Sequence, residues 1–181
     1  MSGVEGIEGF DVLIKGFNRV AESGMKLVSQ SLAEEQVDLI KEGFKNGTAP
    51  DGSAWAALSE LSRNGDGGTP LNDTGKHLKN ATHIAAVSPS CYRVVIGFQH
   101  ASVHQRGAVI VAKGARALCW PCIHYRGKQG KQRREYTHAF ARKVTIPARP
   151  MVPEGALPSR WLRSLQEAFD DTMDVLLGHG K

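Results

Sequence analysis

The chain has 181 residues, of which 41% are hydrophobic and 23% charged, with a formal net charge of +5. That length suits one domain, residues 1–181, and the apolar fraction is enough to bury a real core. No run approaches the ~18 to 20 apolar residues of a membrane span. The start, Met1-Ser2-Gly3-Val4-Glu5, lacks the basic and apolar regions of a signal peptide, so folding in a cytoplasm is expected. Three cysteines form no disulfide framework and fit a reducing compartment.

The charge is unevenly placed. Between His104 and Arg149 stand eleven Lys or Arg against the single acid Glu135, about +10, while the remainder of the chain is acidic at about −5. Such asymmetry suits an anionic partner, either nucleic acid or an acidic protein face, although a solvated basic loop would look the same.

In chain order, Phe10, Leu13, Ile14, Phe17, Val20 and Ala21 recur at helical spacing. Ser23-Gly24 reads as a break, and Met25, Val28, Leu32, Leu39, Ile40 and Phe44 as a second helix, stopped by Asn46-Gly47. Residues 1–46 are thus expected to be N-terminal helices. From 47 to 75, turn formers cluster, as in Pro50-Asp51-Gly52 and Asn64-Gly65-Asp66-Gly67-Gly68. Trp55 and Leu58 stand alone in this polar run, where a lone Trp most often pins its loop to the core.

Strands follow. Tyr92–Phe98 is rich in β-formers. Val109–Ala112 and Ala117–Trp120 flank Lys113-Gly114-Ala115-Arg116 and could form a hairpin. Tyr125–Arg134, with two glycines and few apolar residues, reads as a flexible loop, and Lys143–Ile146 as a strand closed by Pro147. A helix over 159–178 begins with Ser159 as N-cap and carries Trp161, Leu162, Leu165, Phe169 and Leu176 at helical spacing. The order is α+β: N-terminal helices, a central and mostly antiparallel β-sheet over 47–158 with a long basic hairpin at 113–143, and a C-terminal helix.

Candidate chemistry is sparse. Cys119-Trp120-Pro121-Cys122 with His124 offers three zinc-type ligands, to which Cys91 or His138 could add a fourth. A strand setting without a second Cys-x-x-Cys supports neither a zinc site nor a redox pair, so no metal or cofactor is expected. His100 and His104 are four apart, on a segment expected to run from strand to loop. Gly-x-Ser-x-Gly and the phosphate-binding Gly-rich loop are absent. Asp73-Thr74-Gly75 resembles the aspartic-protease triplet, but the apolar strands that hold such a carboxylate pair are missing. No catalytic residue is assigned, and the chain does not read as an enzyme.

The same residues fit another pattern. Gly47–Ser59, Pro70–Leu78, Val94–Gly97 leading into Ala101–Gly107, and Val144–Pro150 are four blocks in order. Together they resemble the phage virion morphogenesis family, which includes tail completion proteins of Mu-like and P2-like contractile-tailed phages. The likeness covers roughly Phe44 to Met151, plus the helices at either end. Ser102, Val103, Arg106 and Met151 depart from it, and 125–134 looks like an insertion in a hairpin.

Within the blocks, Trp55, Asp73, Thr74, Gly75, His104, Gln105, Pro147, Arg149 and Pro150 read as framework. Asp73 or Thr74 can cap a short helix near Gly75. Pro147 and Pro150 fix an extended exit from the last strand. Arg149 between them can pair with a carboxylate or a backbone carbonyl.

The resemblance implies a structural virion protein that completes the tail and joins it to the head at the neck, working as a homo-oligomeric ring, a hexamer. Its partners would be copies of itself, the tail tube or sheath, and the head connector, with a passing contact to genomic DNA and none to a membrane. Arg126, Lys128, Lys131, Arg133 and Arg134 are the residues expected to meet a partner, in preference an acidic protein surface, since tight phosphate contacts would retard sliding DNA. The rival reading is a basic nucleic-acid-binding module, resting on a pI near 9.2.

Overall fold

The computed structural model describes residues 7–58, 70–71, 81–98, 100–114, 117–126 and 133–177. The elements are helix α1 (Ile7–Asn46), strands β1 (Thr82–Val87) and β2 (Tyr92–Ile96), helix α2 (Ala101–Arg106), strands β3 (Ala108–Val111), β4 (Leu118–Arg126), β5 (Arg133–Ala141) and β6 (Lys143–Ile146), and helix α3 (Ser159–Leu176). The α+β order expected from the sequence is therefore present.

The first correction concerns the N-terminus. One helix of 40 residues replaces the expected pair. Ser23-Gly24 does not break it, because the apolar stripe keeps its phase through Ala21, Gly24 and Val28. An isolated Gly costs only ~1 kcal/mol when the flanking pattern is intact. The methyl groups of Leu176 on α3 close over Gly24. The helix ends where expected: Gly47 takes φ +67°, and Thr48 N–H donates to the Gly43 carbonyl at 3.1 Å.

Helix α3 lies antiparallel on α1. Arg160 near its start pairs with Glu42, Ser31 Oγ donates to the Ala168 carbonyl at 3.3 Å, and Leu176 near its end meets Gly24. Its N-cap is Pro158 with extended φ/ψ, not Ser159, which is the first helical residue. The β1–β2 hairpin also packs on α1. Its register runs from Thr82↔Ile96 to Val87↔Tyr92 with an irregularity between Ile84 and Ala86. Strand β1 was not anticipated, since Ala85-Ala86 blunts its alternation.

The core gathers where these parts meet. Leu39, Ile40 and Phe44 of α1, Trp161 of α3, and Ala49, Trp55 and Met151 from loops form one buried cluster, with Val94, Ile96 and Leu165 against it. Burying such side chains contributes ~1.5–3 kcal/mol each, so this cluster dominates the local stability.

The remaining strands differ from the expected single sheet. Among the described residues there are three two-stranded antiparallel sheets, β1–β2, β3–β6 and β4–β5. The expected hairpin of Val109–Ala112 with Ala117–Trp120 does not form. Strand β3 pairs instead with β6, Val109 opposite Thr145 and Ile110 opposite Val144, while β4 pairs with β5 from Leu118↔Ala141 to Arg126↔Arg133. Local composition identifies strands but not the distance to their partners. The Ala112 N–H donates to the Arg142 carbonyl at 3.1 Å, so the two ladders run on as one long ribbon with an excursion on one side. The stretch read as a flexible loop from Tyr125 is thus strand as far as Arg126 and again from Arg133, and 127–132 lie outside the described residues.

Candidate functional site

Three of the four sequence blocks converge on one junction. The first is the loop after α1. Ala49 N–H donates to the Ser53 carbonyl at 2.8 Å, and Asp51 Oδ1 accepts from the Ser53 N–H and hydroxyl. Those bonds hold the Asp51 carboxyl below its usual pKa. The closed loop delivers Trp55 inward, at 7% exposure and edge-on to Phe44 with ring centroids 5.7 Å apart.

The second block is α2. His100 and His104, expected on a strand-to-loop segment, sit one helical turn apart, with His104 N–H donating to the His100 carbonyl at 3.1 Å. Gln105 on this turn clamps the exit from β6. Its Oε1 accepts from Met151 N–H at 2.8 Å and Val152 N–H at 3.2 Å, and its Nε2 donates to the Val152 carbonyl at 2.7 Å. One amide thus takes the place of a strand neighbour for an irregular segment. Gly107 ends the turn at φ +74°, where an added Cβ would sit 2.9 Å from Ala148 N and the Ile146 carbonyl. The backbone of Pro147-Ala148 can pass this close only because position 107 has no side chain.

The third block supplies the bonds that tie all three. Trp55 Nε1 donates to the Pro150 carbonyl at 2.8 Å. Arg149, 4% exposed, donates from Nε to the Ala56 carbonyl at 2.9 Å and from an Nη to the Ala57 carbonyl at 3.0 Å, and its own N–H reaches the His104 carbonyl at 2.6 Å. Burial lowers the guanidinium pKa from its usual value, the expected direction for a desolvated cation. Pro147 is exposed and Pro150 half-buried beside this knot.

Next to the junction lies a cleft of about 320 Å³, lined by Pro50, Asp51, Gln105, Pro150, Val152 and Glu154 among others. That volume is at the low end for small-molecule pockets. Its two carboxylates already have partners, Asp51 in Ser53 and Glu154 in Arg106, whose Nε lies 3.1 Å from Oε1. The polar groups of Trp55, Gln105 and Arg149 are spent on holding backbone, which is the work of a scaffold.

The sequence matches the phage virion morphogenesis family over residues 12–156. The chain belongs to that family. It is accordingly a phage structural and assembly protein, and the junction is part of the matched region. No curated protein and no solved structure gives a significant match. A virion morphogenesis family is a structural one, which agrees with reading the chain as a non-enzyme.

Other residues singled out from the sequence fall as follows in this family member. Asp73, Thr74 and Gly75 lie outside the described residues, as do Lys128 and Lys131. Arg126, Arg133 and Arg134 belong to β4 and β5, but their side chains are outside the described set. Cys119 is an exposed free thiol on β4, and Cys122 and His124 share that strand, with side chains likewise outside it. Among the described residues, no group of three His, Cys, Asp or Glu could hold a metal ion, and no helix is long and apolar enough to cross a membrane. Sequence reading assigns no role to Gly107 or to Glu154.

His104 gives the junction a pH dependence. Its Nδ1 is buried without a hydrogen-bond partner among the described residues. Burial first, then Arg149 and His100, lower its pKa below the usual 6.5. The folded state thus keeps His104 neutral while the unfolded chain protonates at its ordinary pKa. Stability is full above about 6.5 and is lost as pH falls below it towards the folded-state value. Thermal melts between pH 7.5 and 5.5 should show the wild type losing more stability than His104→Gln. Parallel curves for the two would contradict this assignment.

Proposed function

We propose that this chain completes the head-proximal end of a contractile phage tail and joins it to the head, as a closed homo-oligomeric ring at the neck. Membership in the virion morphogenesis family over 12–156 carries this reading, together with the resemblance of the four blocks to tail completion proteins. The fold suits the task. A junction locked by Trp55, Gln105 and Arg149 provides a rigid body, and the basic segment provides charge for an acidic protein surface at the joint. Contractile tails are sixfold, so the ring is a hexamer, held by a heterologous interface that closes.

The test is a phage in which the gene carries an early stop codon. Electron microscopy of the lysate should show DNA-filled heads and separate tails with unfinished ends. Adding the purified protein should restore joined, infectious particles. Joined particles and an unchanged titre without the protein would refute the reading.

A further inference from the structure

The long ribbon β3–β6 with β4–β5 is poorly provided for within its own chain. Its two ladders hold four and nine paired positions, on the order of 40 Å if the ribbon ran straight. Among the described residues, no other element packs broadly against either ladder. A two-stranded ribbon alone in water is marginally stable. This one also exposes apolar side chains: Val109 at 57% and Val111 at 56% in a row on one face, Ile110 at 43% on the other, and Phe140 at 67% further along. The exposed cations Lys113, Arg142 and Lys143 flank them. Large exposed side chains on an arm of this kind mark an interaction surface.

The complementary surface is on the other side of the same fold. Between Leu27 and Ile40, α1 carries three carboxylates and no base, and between Glu167 and Leu176, α3 carries four and none. The antiparallel pairing of the helices sets these stretches side by side, as the Ser31–Ala168 bond shows. In the seam between them is an apolar groove of about 380 Å³ containing Leu27, Val175 and Leu176, with Glu34 and Asp171 among its lining. Leu27 is 56% exposed and Val175 71%. The crowding of like charges is felt at Glu35, whose carboxyl is raised by burial and then by Asp38, Glu167 and Glu42.

We propose that the β-ribbon of one copy docks on the acidic α1–α3 seam of the next, placing Val109 and Val111 against Leu27 and Val175, and Lys143 of the same face, with Arg142 at the bend beside it, against Asp171 and Asp174. The occupant is a second copy because each chain carries both halves of the match, a basic apolar arm and an acidic apolar groove, and among the described residues the two do not pack broadly on each other. Duplex DNA would use the cations but leave the apolar row exposed. The contact is heterologous, as ring closure requires. The inference rests on the ring reading above and names the surfaces that make the ring.

Charge reversal tests it on the full-length protein. Light scattering after gel filtration should find the wild type as an oligomer. Arg142→Glu with Lys143→Glu should weaken self-association about a hundredfold, as like charges then face each other. Asp171→Lys with Asp174→Lys should do the same, both variants keeping the wild-type circular dichroism. All four changes in one chain should restore the oligomer. That rescue is something a folding defect would not give. A monomeric wild type, an oligomer that survives either reversal, or a combined variant that stays monomeric overturns the proposal. Head–tail joining is judged separately, by whether the monomeric protein still restores particles in the lysate.

Discussion

Replacing Trp55 by alanine is expected to destabilise the protein by about 3–5 kcal/mol, the usual cost of emptying a buried Trp site. Three contributions are lost together. The indole fills the space between Phe44 and the loop over Met151, inside the buried core cluster. Its N–H satisfies the Pro150 carbonyl at 2.8 Å. Its position also closes the 47–55 loop, whose Trp55 N–H donates to the Gly47 carbonyl at 2.8 Å. For a chain of this size ~1 kcal/mol corresponds to ~2–4 °C, so the melting temperature should fall by on the order of 10 °C. Trp55→Phe separates packing from the hydrogen bond. It keeps an aromatic ring but leaves the Pro150 carbonyl without this donor, and should cost about 1–3 kcal/mol. Urea titrations of both variants decide the matter. An alanine variant within about 1 kcal/mol of wild type would mean that Trp55 anchors nothing.

Much of this was legible before the fold was known, and the reasons for the rest are physical. A single Trp in a polar run has few ways to avoid water, so its role as an anchor could be read from composition. Its acceptor could not, because Pro150 lies 95 residues away. The same holds for Arg149. Flanking prolines announced a fixed extended backbone, while the carbonyls of Ala56 and Ala57 belong to a loop more than 90 positions earlier.

Helix α1 is continuous although Ser23-Gly24 carries a local signal for a break, because the apolar phase runs through it. Helix α2 leaves no helical signal in the sequence because six residues are too few to show a period. The Val109-Ile110-Val111 run reads as strand, which it is, but its exposure is invisible in a sequence. A run covered by its own chain and a run left open to solvent have the same composition. Charge asymmetry, by contrast, survives without structure. What the fold adds is the acidic helix seam, assembled from two stretches more than 120 residues apart in the chain.

The second large effect is expected at Arg149. Substitution by methionine keeps much of the volume and removes the guanidinium, leaving the carbonyls of Ala56 and Ala57 without these donors. Hydrogen bonds from a charged donor are worth ~1.5–3 kcal/mol each, so a loss of about 3–5 kcal/mol is expected. Relief from desolvating the cation offsets part of that, which is why the figure sits below the simple sum of both bonds. The informative variant is Arg149→Lys. An ammonium retains the charge but is a compact donor on a flexible stem, and it cannot present Nε and Nη in a fixed plane to two successive carbonyls. If the fork geometry is what fastens the first block to the last, lysine should recover less than half of the stability lost in the methionine variant. Recovery to within about 0.5 kcal/mol of wild type would instead mean that a buried positive charge suffices, in which case Trp55 and Gln105 hold the junction without it. Because Trp55 and Arg149 grip the same loop from the same segment, the double variant should be destabilised by less than the sum of its parts. A full sum would place the two residues in independent parts of the fold, against the shared junction described by their bonds to Pro150, Ala56 and Ala57.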